Sequence, residues 1–113
     1  IEHYEQALAI AREIGDRRGE GIHLGNLGNA WADLGEVRKA IDYYEQALAI
    51  AREIGDRRGE GNRLVNMGLA YWELGDLERA RRLWRRALEI LEAIEDPYAP
   101  TVRRWLDETE QRD

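Results

Sequence analysis

The stretch EQALAIAREIGDRRGEG runs from Glu5 to Gly21 and returns letter for letter from Glu45 to Gly61. Beyond it the same offset persists: Leu24, Asn26, Gly28, Ala30, Leu34, Gly35 and Ala40 recur as Leu64, Asn66, Gly68, Ala70, Leu74, Gly75 and Ala80. A weaker third copy opens at Ala87 as ALEILEAIED and then departs. A period of this size marks stacked supersecondary units, each too small to bury its apolar face without a neighbour.

Each period carries two helical signals and two breaks. Between Val37 and Ile54, apolar residues fall at Val37, Ile41, Tyr44, Leu48 and Ala51, and Ala40, Ala47 and Ile54 widen the stripe. These are helical spacings, and the stripe is broad enough to face two neighbours. Gly55 can take the left-handed conformation that ends a helix, and Asp56 is placed to N-cap the next. A second helix sets Leu64, Met67, Gly68, Tyr71 and Leu74 along one side, and Gly75 and Asp76 repeat the break. Gly15–Asp16 and Gly35–Glu36 punctuate the preceding copy in the same way. No strand-like alternation occurs. The pattern predicts an all-α chain of antiparallel helix pairs, with helices near 2–14, 17–34, 37–54, 57–74, 77–95 and 101–111.

The expected organisation is a single repeat domain over 1–113. Ile1 aligns with Ile41, so 1–16 reads as the second helix of a truncated repeat. Its apolar face (Ile1, Tyr4, Leu8, Ala11) would then lack its usual cover, which suggests a segment of a longer array. Residues 17–56 and 57–96 form two repeats. Asp96-Pro97-Tyr98-Ala99-Pro100 breaks the phase, and 97–113 is expected to be a C-terminal capping helix, since a terminal repeat must turn one face to water.

Composition removes much chemistry. The 113 residues contain no Cys, Ser or Phe, which excludes disulfides, thiolate catalysis, Cys-based metal sites and serine nucleophiles. His3 and His23 are far apart in sequence and lack metal-site spacing, so both are expected at the surface and no metal or cofactor is expected. GDRRGEG follows a helix and lacks the Lys-Ser/Thr of a phosphate-binding loop. The 23 carboxylates are read as solubility and pairing charges on solvated helices. No catalytic residue is assigned, and an enzyme is not expected. The net charge of −6 argues against phosphate-backbone binding, and no apolar run is long enough to span a membrane. Arg79, Arg81, Arg82, Arg85 and Arg86 surround Trp84, but they lie on a second helix. They are read as a solvated face around a core Trp, not as a nucleic-acid interface. The cytoplasm is the default location for a chain without targeting signals or Cys.

The first helices carry Leu24, Leu27-Gly28 and Trp31, followed by Ala40 and Tyr44 on the second. The next copy carries Leu64, Met67-Gly68 and Tyr71, followed by Ala80 and Trp84. This order resembles the tetratricopeptide repeat, in which small residues allow close helix approach and aromatics fill the adjoining space. Leu replaces the opening aromatic, Gly-Asp replaces the closing Pro, and the period exceeds the common ~34 residues. Leu27-Gly28-Asn29 and GDRRGEG resemble the longer repeats of Leu-Gly-Asn spindle-orientation adaptors, kinesin light chains and bacterial signalling ATPases.

The resemblance implies a right-handed α-solenoid whose first helices line a concave groove for a partner peptide or helix. Carried onto this chain, the groove positions are Ile22, Gly25, Asn29, Ala32 and Asp33, then Asn62, Val65, Leu69, Trp72 and Glu73. Asn26 and Asn66 sit one turn inward, where an amide can pair with both N–H and C=O of an extended backbone. They could instead bridge neighbouring helices internally. Val65, Leu69 and Trp72 form a second apolar stripe, to be covered by the terminal helix through Val102, Trp105 or Leu106, or by a ligand anchored on Trp72. Residues 1–76 hold 14 acidic against nine basic residues, whereas 77–113 hold nine against eight. A partner steered by charge is therefore expected to be basic and to favour the N-terminal part. The expected function is a non-catalytic protein-interaction scaffold. Its alternatives are end-to-end self-association through the uncovered N-terminal helix, or an engineered or excised repeat segment with no small ligand.

Overall fold

The structure is a computed structural model, described over residues 1–110. Six α-helices are present among these residues: α1 (Glu2–Ile14), α2 (Arg17–Asp33), α3 (Val37–Ile54), α4 (Arg57–Glu73), α5 (Leu77–Ala93) and α6 (Ala99–Glu110). They fall into two compact units, Ile1–Asp56 and the residues from Arg57 onward. Every predicted helix is present. The last starts earlier than expected and takes in Pro100, whose missing N–H falls in the first turn, where amides have no intrahelical partner. Residue 111, placed in that helix by the sequence reading, lies outside the described residues, as does the end of the expected cap.

The breaks are made by backbone chirality. Gly15, Gly35, Gly55 and Gly75 all sit in the left-handed region, at φ 75°, 83°, 73° and 81°. At Gly55 the next amide, Asp56 N–H, donates back to the Ala51 carbonyl oxygen at 2.8 Å, which closes the last turn. The third copy repeats this closure without a glycine. Asp96 N–H donates to the Leu91 oxygen at 2.8 Å, and Glu95 takes φ 55°. Asp16 and Asp76 cap the helices that follow, accepting from the amides of Gly19 at 2.9 Å and Arg79 at 3.1 Å.

In the first unit α2 and α3 run antiparallel, since Gly21 abuts Ile50 near one end while Gly28 abuts Tyr44 near the other. A Cβ on Gly28 would stand 2.5 Å from Tyr44 Cε1, so only glycine permits this approach. Leu8, Leu24, Leu27, Ala47 and Ile50 form the core, with Ile1, Tyr4, Tyr43 and Ile54 packed against it. The second unit repeats the register: Gly61 abuts Ile90 and Leu91, and Gly68 abuts Trp84. Trp84 is buried, as its place in the repeat predicts. Helix α6 returns antiparallel to α5, with Arg81 reaching Thr109 near one end and Arg103 pairing with Glu92 at the other.

Four expectations are corrected. Arg81 is not part of a solvated face: it is buried, and its Nη2 donates to the Thr109 carbonyl oxygen. A guanidinium can be buried only if its N–H groups find acceptors, and the Thr109 carbonyl oxygen supplies one. Glu20 and Glu60 are buried rather than solvated. Glu20 accepts from Arg17 Nη1 at 2.8 Å and from Arg12 Nε at 3.1 Å, which ties α1 to α2. Glu60 accepts from Arg57 at 3.0 Å. His23 is half-buried, and its Nδ1 is enclosed without a hydrogen-bond partner among the described residues. Leu74 is exposed, because α4 ends at Glu73 and the chain has left the helical stripe.

Candidate functional site

Ile22, Asn26, Asn29 and Asp33 follow one another at steps of four, three and four residues, the spacing of a single helix face. On α2 this strip is accessible throughout, with Ile22, Asn29 and Asp33 exposed and Asn26 half-buried. The copied positions on α4 behave alike: Leu69 and Glu73 are exposed, Asn62 and Asn66 half-buried. The eleven helical steps from Ile22 to Asp33 span about 16 Å, enough for about five residues of extended chain. Gly25 is buried and Ala32 half-buried.

The amides differ in their commitments. Asn29 Oδ1 accepts from the Tyr44 hydroxyl at 2.7 Å, so one end of this side chain is held by the second helix of its own pair. Asn26 and Asn66 make no side-chain hydrogen bond among the described residues. The internal bridge that would have explained them is thus not formed there. Val65 is 2% exposed, and its carbonyl oxygen accepts from Trp84 Nε1 at 3.2 Å. It packs and positions; its side chain does not share the open strip.

Trp72 stands in a setting that the repeat alone did not reveal. A cavity of about 190 Å³ opens among Leu69 and Trp72 of α4, Trp84 of α5, and Trp105, Glu108 and Thr109 of α6. The indoles form a continuous wall: ring centroids lie 6.0 Å apart for Trp72–Trp84 and 5.4 Å for Trp84–Trp105, with Tyr98 edge-on to Trp105 at 5.8 Å. The terminal helix therefore reaches the second apolar stripe through Trp105, while Leu69 remains exposed. Trp105 is among the terminal-helix residues expected to cover that stripe, but Glu108 carried no signal, because α6 lies outside the repeat and has no copy for comparison. The sequence trace of this cavity is the placement of three of the four Trp residues after position 71.

The first unit holds a hollow of about 350 Å³ beside Leu8, Leu27, Tyr43 and Arg12. On α1, Ile10 and Ile14 are 57% and 71% exposed. At the same register Ile50 and Ile90 are each 4% exposed, lying against Gly21 and Gly61 respectively. Among the described residues no group of three or more His, Asp or Glu could hold a metal ion, and no helix is long and apolar enough to cross a membrane.

A sequence model of the tetratricopeptide repeat matches residues 1–53 and 24–93. No curated protein matches the chain.

Proposed function

The chain belongs to the tetratricopeptide repeat family, whose members mediate protein–protein interaction, and on that premise we propose that its first-helix faces each bind a peptide or helix of a protein partner. The observation that carries this is the open polar strip. Asn26 and Asn66 lie on accessible helix faces with no side-chain hydrogen bond among the described residues, where their amides can grip a partner backbone. Ile22 on α2, and Leu69 and Trp72 on α4, flank those amides with apolar surface, while Asn29, Asn62, Asp33 and Glu73 complete the polar edges. Packed helices lose little freedom on binding, so affinity would come from pre-organised shape. The proposed work is non-catalytic. The acidic balance of residues 1–76 suits a basic partner.

The test is a peptide library panned on the whole chain, followed by calorimetry with a selected peptide. Asn66→Ala or Asn26→Ala should weaken that peptide about fivefold to tenfold, the worth of one hydrogen bond left unmade. A peptide indifferent to both substitutions, and to Leu69→Ala, would refute the reading.

A second reading is end-to-end association through α1, favoured by the exposed pair Ile10 and Ile14. Sedimentation across concentration separates the two. Oligomers abolished by Ile14→Lys support association, whereas a monomer at all concentrations removes it.

A further inference from the structure

We propose that the cavity among α4, α5 and α6 seats one arginine side chain of the partner; this rests on the reading that the chain binds a protein segment along α4. Its volume of about 190 Å³ is below the ~300–1,000 Å³ of pockets that hold a drug-sized molecule. A single side chain is the matching guest.

The walls select its chemistry. Trp72, Trp84 and Trp105 line the cavity, and indoles attract a cation through the negative quadrupole of their ring faces. The polar edge of Trp84 would repel a cation, but its Nε1–H is directed at the Val65 carbonyl oxygen. Among the described residues, Glu108 is the only charged side chain lining the cavity. It makes no ion pair among the described residues, and a carboxylate accepts a guanidinium in a two-pronged geometry. Leu69 offers an apolar flank for the aliphatic stem. Arginine suits this set better than lysine, because its planar, weakly hydrated head stacks on rings while an ammonium is a compact hydrated point charge. A leucine or phenylalanine guest would fill the same space but would take water from Glu108 without replacing it. An acidic guest would meet the like charge of Glu108.

The probes are Nα-acetyl-arginine amide, Nα-acetyl-lysine amide and Nα-acetyl-leucine amide. Each is titrated against the whole chain at ~0.15 M salt, where long-range attraction is screened. The readout is the NMR signal of each indole N–H. Arginine should give saturable shifts at Trp72 and Trp105 and leave Trp31, in the other unit, unmoved. Lysine should bind more weakly and leucine more weakly still. Glu108→Gln, at an exposed position, should weaken the arginine probe about twofold to fivefold. Trp105→Leu keeps apolar bulk but removes the ring face, and should abolish the shifts. Equal binding of leucine and arginine, no saturable shift at Trp72 and Trp105, or indifference to Glu108→Gln would each overturn the proposal. If it fails while a selected peptide still depends on Asn66, the strip stands and only the arginine seat falls. If the arginine shifts appear but no peptide is selected, the seat stands and the strip reading falls.

Discussion

Gly68→Ala sets two known effects against each other at one atom. Alanine is the better helix former by about 1 kcal/mol, so a position in open space would be stabilised. Here the added Cβ would stand 2.5 Å from Cδ1 and 3.0 Å from Cε2 of Trp84 and would also meet its Nε1. The indole has little room to yield. It is 2% exposed, its N–H is held by the Val65 carbonyl oxygen at 3.2 Å, and its ring lies against Trp72 and Trp105. Forcing a methyl into such a contact costs about 1–3 kcal/mol, and straining the indole hydrogen bond adds about 1. The net loss is about 1–3 kcal/mol. For a domain of about 100 residues, each kcal/mol moves Tm by about 4–8 °C. Urea unfolding followed by both Trp fluorescence and helical circular dichroism should show an earlier midpoint in Gly68→Ala. Repeating the substitution in a Trp84→Leu background should remove the penalty and expose the propensity gain, a coupling of about 2–4 kcal/mol. A stabilised Gly68→Ala in the native background would show that the close helix approach is not what this glycine is for.

Glu95→Gly should raise stability by about 0.5–1 kcal/mol. It relieves a left-handed residue at φ 55° that costs a side chain about 1–2 kcal/mol, less the ~0.5–1 kcal/mol of extra chain entropy that glycine brings; an unchanged or earlier thermal midpoint would contradict this. The acid limb should respond to Glu20. Burial pushes its carboxyl up, but hydrogen bonds from Arg17 and then Arg12, with their charges, outweigh burial and hold it below the ordinary glutamate range. A lowered folded value means stability that is complete above the unfolded value and is lost as pH falls through the folded one. Glu20→Gln should therefore weaken the protein near neutral pH and flatten its acid-side decline; an acid limb of unchanged slope would remove Glu20 from that role.

What the sequence made legible was whatever is decided locally. Glycine chirality ends the helices, apolar spacing sets their faces, and Gly28 and Gly68 mark the close approaches. All of these operate within a few residues or across one turn. Arg81 was misread because its partner is a carbonyl on α6, a helix with no copy in the repeat. Glu20 and Glu60 were misread because carboxylate burial depends on which arginines reach them. Identical letters also met different fates: Ile10 and Ile50 occupy the same place in the same 17-residue stretch, yet one is exposed and the other buried. Their neighbours decide, and a periodic sequence read by itself treats those neighbours as equal.

The same contrast explains why the second unit offers the more specialised surface. At the Asn29 position α2 carries an amide that accepts from the Tyr44 hydroxyl. The copied pair is Leu69 and Trp84, and there the aromatic donor turns instead to a backbone carbonyl. The two changes belong together: without an amide oxygen on α4, an N–H at Trp84 still needs an acceptor in a buried site, and Val65 supplies it. Leu69 is then released from holding the second helix and can flank a cavity that Trp105 completes. Helical repetition builds the framework, but the cavity arises from paired departures between copies and from a final helix outside the repeat. A Leu69→Asn, Trp84→Tyr double substitution, which restores the first copy's pair, should therefore keep the fold while weakening capture of the arginine probe at Trp72 and Trp105. Retained binding would show that the indole of Trp84 is core filling and not part of the seat.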